Sequence, residues 1–335
     1  MQNSILITGN AGHIGSRFAN WILSNRPEYE VIGIDSLLGG FVENISKKVV
    51  FYQRDLSKDS IKDIFTKHHF RYVFHFAAYA AEGVSPFQRR FVLSNNILST
   101  ANIINECINH GVERLVFTSS MSVYGAGKGA GLRFQEEDYP NPLDPYAISK
   151  YASELDIKSS GNLHGLDWCI LRPHNVYGVG QNLWDKYRNV FGIWMFQSIN
   201  NLPITIYGEG KQKRAFSYID DILPSIWNAA VRTDASKQVI NLGGIKGYSI
   251  REAADIYIKI TDHNQIDYLE PRQEVQWCVP SWEKSERLLD FKDSTSLETG
   301  LEKMWAWAIK QPVRERRLWD SFEVEKGLYS YWKLK

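Results

Sequence analysis

The 335 residues are 44% hydrophobic and 23% charged, the make-up of an ordinary water-soluble globular chain with ample material for one large domain or two unequal ones. A formal net charge of +1 gives no electrostatic basis for binding nucleic acid or an anionic membrane, and no apolar run is long enough to span a bilayer. Cys107, Cys169 and Cys278 are scattered without metal-ligand or disulfide spacing. No metal is therefore expected, and a reducing cytoplasm is the simplest compartment.

Taken in order, the chain opens on a short apolar strand, Ile5-Leu6-Ile7, almost at Met1, which leaves no room for a signal peptide. It runs into Thr8-Gly9-Asn10-Ala11-Gly12-His13-Ile14-Gly15 and then an apolar-periodic helix through Phe18, Ala19, Ile22 and Leu23. A strand, a glycine turn and a helix N-terminus make a site for a pyrophosphate, because backbone N–H groups and the helix dipole both face it. About 20 residues further on, Val31-Ile32-Gly33-Ile34-Asp35 reads as a second strand ending in the acid that holds a ribose 2′-OH. A carboxylate there repels a 2′-phosphate, and Ser36-Leu37-Leu38 offers no arginine to bind one, so NAD is expected over NADP.

Strand-like and helix-like segments then alternate. Val49–Tyr52 is a strand with Arg54-Asp55-Leu56 at its end, 61–67 a helix, and Tyr72–Ala78 a buried strand. A long helix is expected from about Pro86 to His110, capped by Gly111; Arg114–Thr118 is a fifth strand, followed by a Gly-rich loop from Gly125 to Gly131. A helix from Pro145 to His164 precedes a sixth strand, Trp168–Leu171. Apolar strands separated by helices predict an α/β fold, a Rossmann-type doubly wound parallel sheet whose ligands bind beyond the carboxyl ends of its strands. Past Arg172 the elements shorten, and a smaller mixed α/β lid is expected, with helix starts at the capping boxes Ser249/Glu252 and Thr295/Glu298. The expected division is 1–173 plus about 219–243 for the dinucleotide-binding domain, and 174–218 with 244–335 for the substrate domain. The basic, aromatic tail from Arg314 is expected to pack on the lid. The 11 tryptophans read as core and subunit-contact packing rather than sugar stacking.

Tyr146 and Lys150 stand four apart at the start of the helix after Pro145, hence on one face. Four other Tyr-x-x-x-Lys matches exist, at Tyr124/Lys128, Tyr207/Lys211, Tyr329/Lys333 and Tyr331/Lys335. Those lie in glycine loops or the tail; only Tyr146 opens a helix that follows a strand ending in hydroxyls, Thr118-Ser119-Ser120. A phenol titrates near ~10, so acting as a base near neutrality needs a shift of about 3 units, roughly 4 kcal/mol. A single ammonium about 4 Å away supplies an effect of that order.

The run of Thr-Gly-x-x-Gly-x-x-Gly, strand-end Asp, Asp-Leu, His-Phe-Ala-Ala, Asn-Asn, Ser-Ser-x-x-Val-Tyr-Gly, Pro-Tyr-x-x-Ser-Lys and Leu-Arg-Pro-x-Asn-Val-Tyr-Gly spans nearly the whole chain in order. It resembles the extended short-chain dehydrogenase/reductases, and within them the nucleotide-sugar epimerases and dehydratases, most of all the hexose 4-epimerases. The resemblance implies that Gly9, Gly12 and Gly15, with His13 and Ile14 between them, cradle the pyrophosphate of NAD and that Asp35 holds the adenosine ribose. It places Asp55 and Leu56 beside the adenine, and Phe76, Ala77, Ala78, Asn95 and Pro173 on the nicotinamide side. Tyr146 is implied as the base, Lys150 as the group that holds the nicotinamide ribose and lowers the phenol, and Ser120 as the residue orienting the sugar hydroxyl. For the nucleotide sugar it implies Asn175 near the diphosphate, Arg214 and Arg272 as phosphate clamps, and Glu274 at the ribose, one residue closer to its arginine than the family's Arg-x-Gly-Asp. Relatives of this kind pair through their two long helices, so a homodimer is implied.

The 4,6-dehydratases carry Asp-Glu directly after the strand-end hydroxyl, where this chain has Met121 and Ser122. The 3,5-epimerases of GDP-mannose carry a cysteine at the place of Ser122. Neither reaction is then expected, and the remaining use of the machinery is 4-epimerisation of a nucleotide hexose through a transient 4-keto sugar. A single-pass reductase or dehydrogenase would use the same residues, whereas a non-catalytic dinucleotide sensor has no need of Tyr146, Lys150 and Ser120 together. Cys278 falls, by the same resemblance, where pocket size is set, and a thiol leaves room for a 2-acetamido group.

Overall fold

The computed structural model describes residues 3–126, 129, 131–272, 274–316 and 318–333. Lys128 and Lys335, the second members of two discarded Tyr-x-x-x-Lys matches, lie outside the described residues. The chain opens with β1 (Ser4–Thr8), α1 (His13–Asn25), β2 (Glu30–Asp35), β3 (Val50–Gln53), α2 (Lys62–His68) and β4 (Phe70–His75). Helices α3 (Arg89–Leu93) and α4 (Ser99–Asn109) are joined by a π-helical turn, Ser94–Leu98, and lead to β5 (Arg114–Thr118), α5 (Pro145–His164) and β6 (Trp168–Pro173). Next come β7 (Val176–Tyr177), α6 (Val190–Ile199), β8 (Ile204–Tyr207), β9 (Lys213–Ala215), β10 (Ser217–Tyr218), α7 (Ile219–Val231) and β11 (Gln238–Leu242). The last elements are β12 (Gly247–Ser249), α8 (Ile250–Thr261), β13 (Ile266–Leu269), β14 (Trp277–Cys278), α9 (Glu283–Leu289) and α10 (Leu297–Ala308).

Seven parallel strands form the main sheet in the order β11-β6-β5-β4-β1-β2-β3. Every residue of β1 and β5 is buried, as strands covered by helices on both faces must be. The strand order reverses between β1 and β4, and the loops after these two strands splay apart to open a crevice. β11 pairs with β6 along its length (Ile240 opposite Leu171), so the chain returns to the main sheet after the first short strands of its second half. The remaining short strands form small sheets over the carboxyl ends: β10 with β7, β8 with β13, and β12-β9-β14. Among the described residues, no helix is long and apolar enough to cross a membrane.

Three local expectations are refined. The long helix expected over 86–110 is divided, because a π turn inserts an extra residue at Asn95–Asn96, and Ser99 and Thr100 bond back to the carbonyls of those asparagines at 2.5 and 2.8 Å. The extra residue lets Asn96 accept the Tyr79 N–H at 2.8 Å and donate to Ser149 Oγ at 2.9 Å, tying the β4 loop to α5. The box at Ser249/Glu252 forms in full, but α10 starts one residue late: Ser296 is its cap, while Thr295 is taken by Asp221 through N at 2.8 Å and Oγ1 at 3.0 Å. The tail meets the lid as expected, with Tyr331 5.1 Å from Tyr207 and Arg316 over Phe196, but it reaches the main domain as well. Glu323 accepts the N–H groups of Arg90 and Phe91 at 2.7 and 3.0 Å, capping α3, which Gln88 leaves uncapped. Trp319, Phe322 and Trp332 pack on Tyr79, Phe87, Phe91 and Tyr187 beside the crevice.

Candidate active site

Two adjoining cavities lie over the carboxyl ends of the sheet, one of about 200 Å³ and one of about 370 Å³, and both are bounded by Gly12, His13 and Ile14. Each dinucleotide-site residue expected between Gly9 and Asn95 lines the smaller one. Gly9 sits at φ +69° with its N–H on Ile34 O at 2.8 Å, and a Cβ on Gly15 would collide with the Gly9 carbonyl, so both positions require glycine. Helix α1 begins at Gly12 with no capping side chain and no acid in its first turn, so its free N–H groups and positive end face the cleft. Asp35 accepts the Ala11 N–H on one oxygen (3.0 Å) and the Leu37 N–H on the other (2.7 Å), which fixes both oxygens at the end of β2. His13 is kept neutral, its imidazole lowered to about 3 mainly by burial, and its Nε2 is buried without a partner among the described residues. An uncapped helix end, an oriented carboxylate and an orphaned imidazole nitrogen fit a dinucleotide with its pyrophosphate on the glycine turn.

The larger cavity carries Ser120, Tyr146, Pro173, Asn175, Arg214, Arg272 and Glu274 on its walls. Tyr146 is placed by the start of α5, where Asp144 accepts the Ala147 N–H at 3.0 Å, Pro145 occupies the first turn and Gly165 ends the helix in the left-handed region. Burial first, and then the carboxylate of Glu82, push the Tyr146 phenol above its ordinary range; a hydrogen bond with Ser120 and the charge of Arg188 act the other way. Ser120 Oγ accepts from both the N–H and the hydroxyl of Ser122, at 3.1 and 2.9 Å. With its acceptor side occupied, Ser120 has its proton for the Tyr146 oxygen or for a substrate oxygen beside it.

Lys150 stands behind these walls rather than on them. It is 3% exposed, its Nζ donates to Thr118 O at 2.7 Å and lies 4.8 Å from the Phe117 ring centre, and burial lowers its ammonium to about 7. Between about pH 7 and the ordinary 10.5, the unfolded chain therefore holds a proton that the folded chain lacks, and stability rises with pH. The buried thiols, ordinarily near 9 and raised by burial, act in the opposite sense at higher pH. Lys150→Met should thus flatten the rise in thermal midpoint of the cofactor-free protein between about pH 7 and 8.5. An unchanged slope would refute that assignment.

On the substrate side, Arg214 donates to Glu274 at 2.8 Å and Gln212 to the other Glu274 oxygen at 3.1 Å. Arg272 lies 3.8 Å over the Tyr207 ring and has no carboxylate partner among the described residues. Asn175, at φ +40°, donates to Ala215 O at 2.9 Å. Cys278 is not brought into the cavity lining: it is buried with its Sγ 3.8 Å from Met121 Sδ, within a cluster that includes Tyr124 and Phe134.

The structure adds groups that sequence reasoning missed. Arg188, between β7 and α6, reaches both cavities, is paired with Asp185 at 2.8 Å, lies 4.7 Å over Tyr79, and works against the burial that raises both Asp35 and Tyr146. Behind the site, the fully buried Glu154 receives Ser119 Oγ at 2.5 Å and Arg172 at 2.9 and 2.7 Å, locking α5 to the ends of β5 and β6. Neither has a local signature, since each acts on partners tens of residues away. The nearest available hint was that Arg172 is a charge at the end of an otherwise apolar strand.

Comparison with known proteins agrees with this geometry. Residues 5–243 match the family model described as the NAD dependent epimerase/dehydratase family. A putative UDP-glucose 4-epimerase of Methanocaldococcus jannaschii is 29% identical over 306 residues, covering 90% of this chain and 97% of that one. The structure of UDP-glucose 4-epimerase from Thermotoga maritima with UDP-glucose superposes with a TM-score of 0.85 at 28% identity, covering 91% and 98% of the two chains. That of UDP-glucuronic acid 4-epimerase from Bacillus cereus, with UDP-glucuronic acid and NAD, gives 0.83 at 26% identity over 91% and 98%. The glycine turn and the oriented Asp35 fit such a cofactor; the chain's cofactor is NAD, and the chain belongs to the NAD dependent epimerase/dehydratase family.

Proposed function

We propose that the chain is a 4-epimerase of UDP-hexoses or UDP-N-acetylhexosamines. The carrying observation is one cavity with Tyr146 and Ser120 on its walls, Arg214 and Arg272 on its walls as well, and an NAD cleft opening into it at Gly12–Ile14. Arginine forks suit the oxygens of a diphosphate, which fixes the sugar end toward Tyr146. In this reading Tyr146 Oη takes the proton of the sugar 4-OH, the Ser120 proton steadies the same oxygen, and the 4-keto sugar turns over before Tyr146 returns the proton. NAD, when bound, would supply reversible hydride acceptance at C4. Gly9, Gly12, His13, Ile14 and Gly15 hold its pyrophosphate, Asp35 its adenosine ribose, Asp55 and Leu56 its adenine. Phe76, Ala77, Ala78, Asn95 and Pro173 take the nicotinamide side, and Lys150 the nicotinamide ribose. Asn175 and the arginines take the diphosphate, and Glu274, already paired with Arg214, keeps a lone pair on each oxygen for the ribose.

Met121 and Ser122 favour epimerisation over dehydration: the thioether packs on Cys278 and the hydroxyl is spent on Ser120, leaving no acid or base at either place. The test is NMR of UDP-glucose, UDP-GlcNAc and UDP-glucuronate incubated with the NAD-loaded protein. Interconversion of a 4-epimer pair without build-up of reduced cofactor is expected; no conversion of any of them defeats the proposal, and steady reduction replaces it with net oxidation.

Arg188 belongs to the same reading as a cofactor clamp delivered from the substrate side. A charge-assisted hydrogen bond is worth about 1.5–3 kcal/mol, so Arg188→Ala should weaken NAD retention by about tenfold or more in equilibrium dialysis. Unchanged retention would assign the residue to packing on Tyr79 alone. The reading also takes the chain as a cytoplasmic homodimer joined through α4 with the π turn before it and α5, where Leu98 of that turn and Ile148 and Leu155 of α5 face solvent. Its mass in solution is the check.

A further inference from the structure

We infer that Glu82 is a specificity residue that admits neutral or cationic hexoses and rejects hexuronates, an inference that rests on the nucleotide-sugar reading above. Glu82 lies in the loop after β4 and its side chain is open to the larger cavity. Its backbone is fixed against the start of α5. Ser85 Oγ stands 2.9 Å from both Glu82 O and Asp144 Oδ1, and accepts the Tyr146 N–H at 3.2 Å. The charged groups around it are Asp144, Arg214, Glu274 and Arg272, with the Tyr146 phenol on the other side.

Most of those neighbours are already engaged. Asp144 caps α5, and Arg214 and Glu274 pair with each other. Among the described residues the Glu82 carboxylate has neither a hydrogen-bond nor an ion-pair partner, although it shares the cavity with the proposed base and the proposed diphosphate clamps. The stretch between base and diphosphate is where the hexose ring must lie. A carboxylate that faces a ring with no partner of its own wants a hydrogen-bond donor there, which a sugar hydroxyl or ammonium supplies. The C6 carboxylate of a uronate supplies only like charge, and a bound sugar that covers Glu82 displaces the water that otherwise screens the repulsion. Glu82 is exposed in the cavity, so water solvates its carboxylate until a sugar covers it; that cover and then neighbouring Asp144 push it upward, and the comparison belongs at about pH 8, where it is ionised.

The experiment is calorimetric titration of the NAD-loaded protein, wild type and Glu82→Gln, with UDP, UDP-glucose and UDP-glucuronate. The wild type should bind UDP-glucose at least about tenfold more tightly than UDP-glucuronate, the scale of one unit charge facing another. Glu82→Gln should bring the two within about threefold while leaving UDP itself unchanged, which also serves as the control for folding. Equal binding of both sugars by the wild type, or a preference that Glu82→Gln does not move, overturns the inference. So does an equal loss for UDP and both sugars, which would mean that Glu82 only steadies Arg272. Failure of UDP to bind at all would instead remove the nucleotide-sugar reading, and this inference with it.

Discussion

Tyr146→Phe should lower turnover of the accepted UDP-hexose by about 10²–10⁴-fold, with KM, NAD retention and folding little changed. The ring itself is part of the apolar cluster with Tyr79, Val84, Phe87 and Trp332, and phenylalanine keeps that packing. What the substitution removes is one oxygen whose hydrogen-bond partner among the described residues is Ser120. In the cofactor-free chain the phenol is held above its ordinary range by burial and by Glu82, so it is neutral at pH 7 and cannot serve as a ready base. The positive charge of an oxidised nicotinamide, together with Lys150 when protonated, is what the reaction requires to bring it down. The rate should accordingly rise with pH as the phenol ionises in the loaded enzyme, and Tyr146→Phe should lose that limb. A loss smaller than tenfold would mean that another group takes the proton. Loss of NAD along with activity would mean that the hydroxyl is structural.

The parts of this machinery that were legible in the sequence are those made by neighbours in the chain. The glycine turn between Ile7 and Phe18 carries its own geometry, and Asp144-Pro145 before Tyr146, with Gly165 twenty residues on, writes both ends of α5. Buried parallel strands announce themselves as short apolar runs, so β1, β2, β4, β5 and β6 fell where expected. What could not be read is what folding brings together from afar. Arg188 meets Asp35 and Tyr146 from a loop with no periodicity, and Glu82 looks like any acid beside a glycine until the cavity closes around it. The π turn at Asn96 exists because Tyr79 and Ser149 claim the two ends of one amide, a tertiary demand that overrides helical spacing. The tail's reach beyond the lid was hidden for the same reason: Glu323 is a helix cap supplied from more than two hundred residues away.

Glu154→Gln should destabilise the fold by about 3–5 kcal/mol, a large fraction of the roughly 5–15 kcal/mol available to a protein of this kind. Glu154 is 0% exposed and Arg172 is 2% exposed, and the two are joined by a two-pronged pair whose carboxylate also receives Ser119. An amide retains the shape but not the charge, so a buried guanidinium lying over Tyr124 at 4.7 Å is left uncompensated, with one of its nitrogens already without a partner among the described residues. The consequence reaches the chemistry, since the pair holds α5, which carries Tyr146 and Lys150, against Ser119 and therefore against Ser120. The discriminating companion is Glu154→Leu with Arg172→Met, which removes both charges and fills the space. If desolvation of a lone charge is the cause, the double variant should lose less stability in urea titration than Glu154→Gln alone while still losing activity through misplacement of α5. If the single substitution costs under about 1 kcal/mol, water reaches Arg172 and the pair is no anchor. If the double variant is the less stable of the two, the energy lies in the bonds themselves rather than in an abandoned charge.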